Sequence, residues 1–264
     1  MELIKQVLGG CELYNGDCLA VMDALIAQGV KVDAIITDPP YGTTACKWDS
    51  VIPFDEMWVR LNQLIKPNGA IVLFGSEPFS SSLRMSNAQN FKYDWVWEKS
   101  TVTGHLNAKK MPMKAHETIT VFNTNGNIYN PQKTSGHKRK VSTASHKRNS
   151  KVTDLYSSHH LTTYDSTERY PRSVLFFATD KQKIALHPTQ KPVALMEYLI
   201  NTYTHEGELV LDFTMGSAST GVACVNTNRR FIGIELDEQY YKISIERVQQ
   251  AIDAKQNSLF SGLE

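Results

Sequence analysis

The chain has 264 residues, 41% hydrophobic and 21% charged, with a formal net charge of +1. That is an ordinary globular composition for one large α/β domain with room for an insert; no apolar run is long enough to span a membrane, and no basic segment followed by a long apolar stretch marks a signal peptide. Cys11, Cys18, Cys46 and Cys224 form no C-x-x-C pair, which argues against a zinc knuckle or a disulfide framework and for packing thiols in a reduced, cytoplasmic protein with no metal.

Glu12 to Asp17 reads as a short strand ending in an acid, and Leu19, Met22, Leu25 and Ile26 share one face of the helix after it. Val32 to Thr37 reads as a buried strand that Pro39 and Pro40 stop. Asp38-Pro39-Pro40-Tyr41 therefore sits at the carboxyl end of a strand, where open α/β sheets bind ligands. The prolines leave local carbonyls free as acceptors, Asp38 adds a second acceptor, and Tyr41 adds a flat face. Two acceptors can hold both N–H donors of an exocyclic amino group and draw its lone pair out of conjugation. The flat face suits a base flipped out of a duplex. Lys47, Trp48 and Asp49 follow in a loop, with Trp48 read either as a second stacking group or as an anchor to the core.

Phe54, Met57, Trp58, Leu61 and Ile65 recur at helical spacing, and Pro67-Asn68-Gly69 is expected to end that helix. Ala70 to Phe74 is a second buried strand, followed by a short amphipathic piece around Phe79 and Leu83. Tyr93 to Trp97 and Glu117 to Phe122 read as strands able to form an antiparallel edge, joined by a polar loop from Lys99 to Ala115.

From Asn123 to Arg172 the periodicity stops. This stretch holds nine Lys/Arg and three acids, hence a charge of +6, against −5 for the rest of the chain. Basic residues interleaved with Tyr129, Tyr156, Tyr164 and Tyr170 suit phosphate contact with stacking, and a basic insert on an acidic body suits a polyanion. Lys133, Lys138, Arg139, Lys140, Lys147, Arg148 and Lys151 are the candidate DNA-binding residues. The expected division is 1–122 and 173–264 as two halves of one domain, with 123–172 inserted between them.

Strand character returns at Ser173 to Phe177. His187 to Pro192 then leads into a helix with Val193, Met196, Leu199, Ile200 and Tyr203 aligned. Leu209 to Asp212 is a strand, Phe213 to Gly221 a small-residue loop opening a helix, and Arg230 to Glu235 a strand ending in an acid, after which Asp237 caps a last helix. That strand, loop, helix and acid-tipped strand form half of a nucleotide-binding unit. Gly216, Ser217 and Ala218 let a ligand approach the helix N-terminus, and Glu235 can accept from both hydroxyls of a ribose. No G-x-x-x-x-G-K-[ST] or G-x-G-x-x-G is present, so a nucleoside without phosphates fits best. S-adenosylmethionine is one, and a carboxylate such as Asp212 would attract its sulfonium.

These ordered motifs resemble the DNA amino-methyltransferases of the permuted β group, in which Asp-Pro-Pro-Tyr precedes the cofactor loop and target recognition lies between them. The resemblance implies a Rossmann-like methyltransferase sheet, mostly parallel with an antiparallel edge, flanked by helices and carrying a basic target-recognition insert. It implies that Asp38 and the carbonyl of Pro39, stiffened by Pro40, hold the target amino group while Tyr41 stacks on the flipped base. Phe213 to Thr220 (with Thr214, Gly216, Ser217, Ala218 and Ser219) would wrap the methionine part of S-adenosylmethionine, Glu235 its ribose, and Asp17 and Cys18 its adenine. Thr189, Lys191 and Pro192 would lie beside the cofactor tail. The reaction implied is direct in-line methylation of adenine N6 in duplex DNA, because aspartate in the first motif position goes with adenine in this family and serine with cytosine N4. One departure is Ala218, where the family usually has glycine. The partner implied is double-stranded DNA at the nucleoid, with a homodimer and a cognate restriction endonuclease left open. N4-cytosine, RNA and protein-glutamine substrates remain as alternatives, as does a non-catalytic DNA-binding module.

Overall fold

The computed structural model describes residues 4–43, 49–126, 128–142, 164–179 and 190–261. Cys46, Lys47, Trp48, Lys147, Arg148, Lys151, Tyr156 and the stretch from His187 to Thr189 lie outside these residues. Two compact units form: Met1–Asn130 with Ser173–Glu264, and Pro131–Arg172.

The first half of the large unit runs β1 (Ile4–Leu8), β2 (Cys11–Asn15), α1 (Cys18–Ala27), β3 (Val32–Thr37), α2 (Phe54–Leu64), β4 (Ile65–Gly75), α3 (Phe79–Ser86), β5 (Phe91–Thr103) and β6 (Lys114–Phe122). The small unit holds β7 (Lys140–Ser142) and β8 (Tyr164–Ser166). The chain then returns with β9 (Val174–Phe177), α4 (Val193–Tyr203), β10 (Leu209–Asp212), α5 (Ser219–Asn226), β11 (Arg230–Glu235) and α6 (Glu238–Ser261).

One sheet carries the large unit, in the order β1-β2-β11-β10-β3-β4-β6-β5-β9. Strands β2, β11, β10, β3 and β4 are parallel, so their carboxyl ends share one edge. β6 pairs antiparallel with β4 and β5, and β9 lies parallel to β5. The mostly parallel, Rossmann-like sheet with an antiparallel flank is the architecture the sequence implied.

Successive side chains on a strand point to opposite faces, and both faces of this sheet are covered. Ala34, Ile36, Val72 and Phe74 pack with Leu199 and Tyr203 of α4 and Cys224 of α5. Ile35, Ile71 and Leu73 pack with Met22, Trp58 and Leu83 of α1, α2 and α3 on the other side. Asp33 is the charged residue within β3, and it is matched by Lys66 Nζ at 2.6 Å and by the Leu209 N–H at 2.9 Å, as a buried carboxylate requires.

Several readings differ from expectation. The polar loop expected from Lys99 to Ala115 is shorter, because β5 continues to Thr103, which pairs with Lys114 at the start of β6. α2 stops at Leu64 instead of at Pro67, because Ile65 is already extended and pairs with Val32. β1 carries no alternating signal, since four of its five residues are exposed; it is held by antiparallel pairing with β2.

Candidate active site

Asp38 leaves the end of β3 with its side chain 21% exposed. One carboxylate oxygen accepts from the Tyr41 hydroxyl and the other from Lys191 Nζ. Lys191 also reaches Glu117 Oε2 at 3.2 Å, and Lys99 Nζ meets Glu117 Oε1 at 3.2 Å. Acid and base thus alternate from Asp38 through Lys191 and Glu117 to Lys99. Burial works against the Lys191 ammonium, but Asp38 and Glu117 outweigh it and its pKa is raised. Burial pushes the Asp38 carboxyl up, with Lys191 pulling the other way and Glu117 adding to the rise. The resemblance implied a place for Lys191 beside a cofactor tail; its ammonium lies on Asp38. Glu117 was read only as part of a strand, since nothing in its neighbourhood announces a partner at Lys191.

The turn after Asp38 is shaped by another residue given no role from sequence. Asp49 Oδ1 accepts from the N–H groups of Tyr41 and Gly42 at 2.8 and 2.9 Å, and Oδ2 accepts from Thr43 N–H at 2.9 Å. The Tyr41 ring lies 5.1 Å from that of Phe79, inclined by 32°, so its orientation is fixed by packing. No described residue donates to the Pro39 carbonyl. An acceptor is left open beside Asp38, as the prolines implied.

Asp212, at the end of the adjacent strand β10, has a different environment. Its two oxygens accept from the Thr37 and Thr220 hydroxyls, both at 2.5 Å, and Oδ1 also accepts from Thr214 N–H at 3.2 Å. Burial pushes its pKa up to about 6, against those donors. The carboxylate expected to face a sulfonium is turned inwards. It ties β3 to the loop, and Thr214 Oγ1 completes the tie by donating to the Asp38 carbonyl at 3.1 Å.

The loop itself makes a left-handed double turn, with Gly216 at φ 53 and Ala218 at φ 58. Phe213, Ser217, Ala218, Ser219 and Thr220 are buried, while Thr214 and Gly216 keep partial exposure. Phe213 fills the core. Arg247, buried on α6, donates to the Ser217 carbonyl and hydroxyl. Sequence could not single out Arg247, which stands next to the apolar stripe of α6. Gly221 is required by packing, because a Cβ there would stand 2.9 Å from the Phe231 ring.

Glu235 ends β11 beside this loop. Gly216 N–H donates to one carboxylate oxygen at 2.9 Å and Asp237 N–H to the other at 2.8 Å. Each oxygen keeps a second lone pair for a ligand hydroxyl. Gln190 Oε1 lies 3.4 Å from Ser217 Oγ, while its buried Nε2 has no partner among the described residues. An amide donor left unpaired among the described residues beside a left-handed turn, and an acid bonded to the same turn that can take two hydroxyls, suit a molecule with an amino-acid carboxylate and a ribose. S-adenosylmethionine fits that donor and acceptor set. Asp17, expected by the adenine, caps α1 through Ala20 N–H at 3.0 Å and is exposed. Cys18 is half-buried, and burial pushes its thiol up to about 12.

In the small unit, Arg139 makes a two-bond pair with Asp165, at 2.7 and 2.5 Å, and Lys133 pairs with Glu168 at 3.1 Å. Two residues expected to face DNA are therefore ion-paired, while Lys138 and Lys140 are exposed without an ion pair among the described residues.

An acid and a free carbonyl at one strand end, beside a nucleoside-type loop at the next, define a group-transfer enzyme that acts on an amino nitrogen. The DNA methylase family of N6/N4 methyltransferases matches residues 32–246, and the chain belongs to it: this is an S-adenosylmethionine-dependent DNA methyltransferase family. Among relatives, the chain is 27% identical over 247 residues to the Type II methyltransferase M2.DpnII of Streptococcus pneumoniae, covering 83% of each chain. It is 26% identical over 258 residues to the DNA adenine methyltransferase YhdJ of Escherichia coli (strain K12), covering 90% of this chain and 83% of that one. The crystal structure of M1.HpyAVI with SAM matches with a TM-score of 0.64 and 27% identity, over 90% of this chain and 98% of that one. The cytosine-N4-specific PvuII DNA methyltransferase shares the fold, with a TM-score of 0.62 at 17% identity over 96% and 93% of the two chains.

Proposed function

We propose that the protein methylates the N6 amino group of adenine at specific sites in duplex DNA, on a base flipped out of the helix. The observation that carries this is the pair of acceptors at the end of β3: the Asp38 carboxylate, mostly buried but 21% exposed, and the Pro39 carbonyl, which no described residue occupies. Both N–H groups of an adenine amino group are held at once, which fixes the nitrogen in place and raises the electron density available to it. Each Asp38 oxygen already accepts one bond and retains a lone pair for this. Tyr41, seated on Phe79, gives the flipped base a preset face.

S-adenosylmethionine would supply the methyl group for direct transfer to that nitrogen, its sulfur–methyl bond breaking to leave a neutral thioether, without a covalent enzyme intermediate. Glu235 holds the ribose, Gln190 Nε2 the amino-acid carboxylate, and Gly216 and Thr214 line the approach. Methyl transfer would leave the amino nitrogen positively charged, and Asp38 would take the proton it sheds, since a cationic amino group attached to the base ring is a stronger acid than a carboxyl group. Lys191 favours the ionised form of Asp38, against burial and Glu117.

Adenine is favoured by the aspartate at position 38, by the resemblance stated above, and by the likeness to an adenine methyltransferase. The PvuII enzyme has the same fold, so the fold does not select the base. The likeness to Type II methyltransferases extends the proposal to a cognate restriction endonuclease against which the mark protects. The test is transfer of labelled methyl groups from S-adenosylmethionine to unmethylated genomic DNA, followed by nucleoside analysis. N6-methyladenine is expected. N4-methylcytosine would overturn the base assignment alone, and label that enters only RNA or protein would overturn the substrate.

A further inference from the structure

The β5–β6 hairpin reaches past the edge of the sheet where Asp38 lies. Gly75, the last residue of β4, pairs with Thr118 of β6, and the next residue, Glu117, is in ion-pair contact with Lys191. From there β6 continues outwards to Lys114, about 10 Å further at the usual rise per residue, where it pairs with Thr103 of β5. The root of the hairpin is thus part of the catalytic cluster, and its tip projects on the substrate side.

That tip has an unusual surface. Leu106 is 88% exposed, Met111 58% and Met113 44%. Lys109 and Lys110 stand between them, exposed, and form no ion pair among the described residues. The tip is nevertheless built. Gly104, at φ 90, turns the chain into a short 3-10 helix, His105–Asn107. Asn107 N–H donates to Gly104 O at 2.9 Å, and Lys110 and Met111 N–H groups both donate to Asn107 O, at 2.8 and 3.0 Å. A large apolar side chain held out in water by its own backbone bonds, with two free ammonium groups beside it, fits the base stack and phosphates of a duplex. Apolar wedges between base steps and Lys contacts to flanking phosphates are the two halves of such binding.

We propose that this tip is a duplex wedge: Leu106 enters the base stack at the target site and offsets the loss of stacking when the base is flipped, while Lys109 and Lys110 take flanking phosphates. The proposal rests on the reading that duplex DNA is the substrate and that the base is flipped. It adds a surface lying outside both the motif residues and the basic insert.

The experiment begins by mapping the methylated sites in genomic DNA treated with the wild-type protein. Two synthetic duplexes then carry that site, one fully paired and one with an abasic residue opposite the target base, where flipping needs less help. Leu106→Ala is expected to lose roughly tenfold or more in kcat/KM on the paired duplex and to recover on the abasic one, with S-adenosylmethionine affinity and Tm at wild-type values. Lys109→Ala/Lys110→Ala is expected to reduce the slope of log affinity against log salt by about 2. Wild-type rates for Leu106→Ala on the paired duplex would overturn the proposal. So would equal losses on both duplexes, or a loss accompanied by dissociation of a dimer in sedimentation, which would assign the tip to a second copy of the chain. A wild-type protein that leaves duplex DNA unmethylated would refute the underlying reading, a result distinct from all of these.

Discussion

Asp38 and Asp212 are two buried carboxylates at the ends of neighbouring parallel strands, and they are satisfied by opposite means. Asp38 is met by a cation, Lys191, and by one phenol. Asp212 is met by neutral donors, the Thr37 and Thr220 hydroxyls and one backbone N–H. The neutral shell leaves the charge of Asp212 uncompensated and its pKa at about 6, whereas Lys191 gives Asp38 a counter-charge that works against burial and Glu117, which together still raise its pKa. A group that must stay ionised and meet a substrate needs a charged partner that can share it. A group that only joins two loops can do so with hydroxyls. The comparison can be broken one side at a time.

The largest effect is expected on the Asp38 side. Asp38→Ala should lower kcat by about 10³-fold while leaving S-adenosylmethionine affinity within error; wild-type turnover in that protein would remove Asp38 from the chemistry. Lys191→Met should follow, with about 10²-fold lower kcat. Without Lys191 the Asp38 pKa rises further, so the acid limb of the pH–rate profile should move to higher pH, since the ionised form is then lost earlier as pH falls. Isothermal titration with S-adenosylmethionine separates this from the place beside the cofactor tail read from the sequence: a weakened cofactor with an unmoved acid limb would restore that reading. Glu117→Gln should move the acid limb the opposite way, to lower pH and by less, because it removes an acid that adds to the rise of the Asp38 pKa and leaves the ammonium with Asp38 alone.

The Asp212 side should show itself in stability instead of turnover. The folded-state pKa of Asp212 lies above the ordinary carboxylate value, so the folded protein holds a proton that the unfolded chain has released. Its contribution therefore falls as pH rises through the window from 3.8 to about 6, at a cost on the order of 3 kcal/mol above that window. Asp212→Asn should abolish this slope in denaturant unfolding measured from pH 4 upwards, with the other groups contributing alike in both proteins. An unchanged slope would mean that Asp212 keeps an ordinary carboxylate pKa in the folded protein. Thr220→Val, which orphans one oxygen, should cost about 1–3 kcal/mol.

What could be read in the sequence divides along the same line. The strands β3, β4, β10 and β11 were legible because each is a short apolar run bounded by a turn, and their ends were legible because a motif stands at each. The shell that makes those ends work was not. Lys99 and Glu117 meet through the pairing of β5 with β6, and Lys191 reaches Glu117 from the segment before α4, contacts between stretches that share no local pattern. Asp49 looks like any loop acid until Tyr41, Gly42 and Thr43 turn their N–H groups onto it. Arg247 is adjacent to Val248, one of the residues that define the apolar face of α6, and the Ser217 carbonyl that it meets belongs to another element. β1 has no buried face and so no periodicity. Propensity and periodicity are local signals, and polar satisfaction inside a sheet protein is settled by neighbours distant in the chain.

The smallest predicted effect concerns Ala218, one place where the cofactor loop departs from its family's pattern. Ala218 is fully buried and adopts φ 58, ψ 43 as it leads into α5. A residue with a Cβ is disfavoured in that region by roughly 1 kcal/mol, and glycine is not. The loop tolerates this because Ala218 is bound on both sides: its N–H donates to Met215 O at 2.8 Å, and its carbonyl accepts from Val222 N–H at 3.0 Å. Ala218→Gly should therefore relieve the conformation without losing either bond. Part of the gain is returned through the greater freedom of glycine in the unfolded chain, so a net stabilisation of about 0.5–1 kcal/mol is expected, read as a Tm higher by a few degrees at most. If the methyl group also stands where a ligand would approach Gly216, the same substitution should tighten S-adenosylmethionine by a few-fold. Stabilisation without tighter binding would place the strain in the backbone turn alone, and a lower Tm would show that the buried methyl contributes more by packing than its conformation costs.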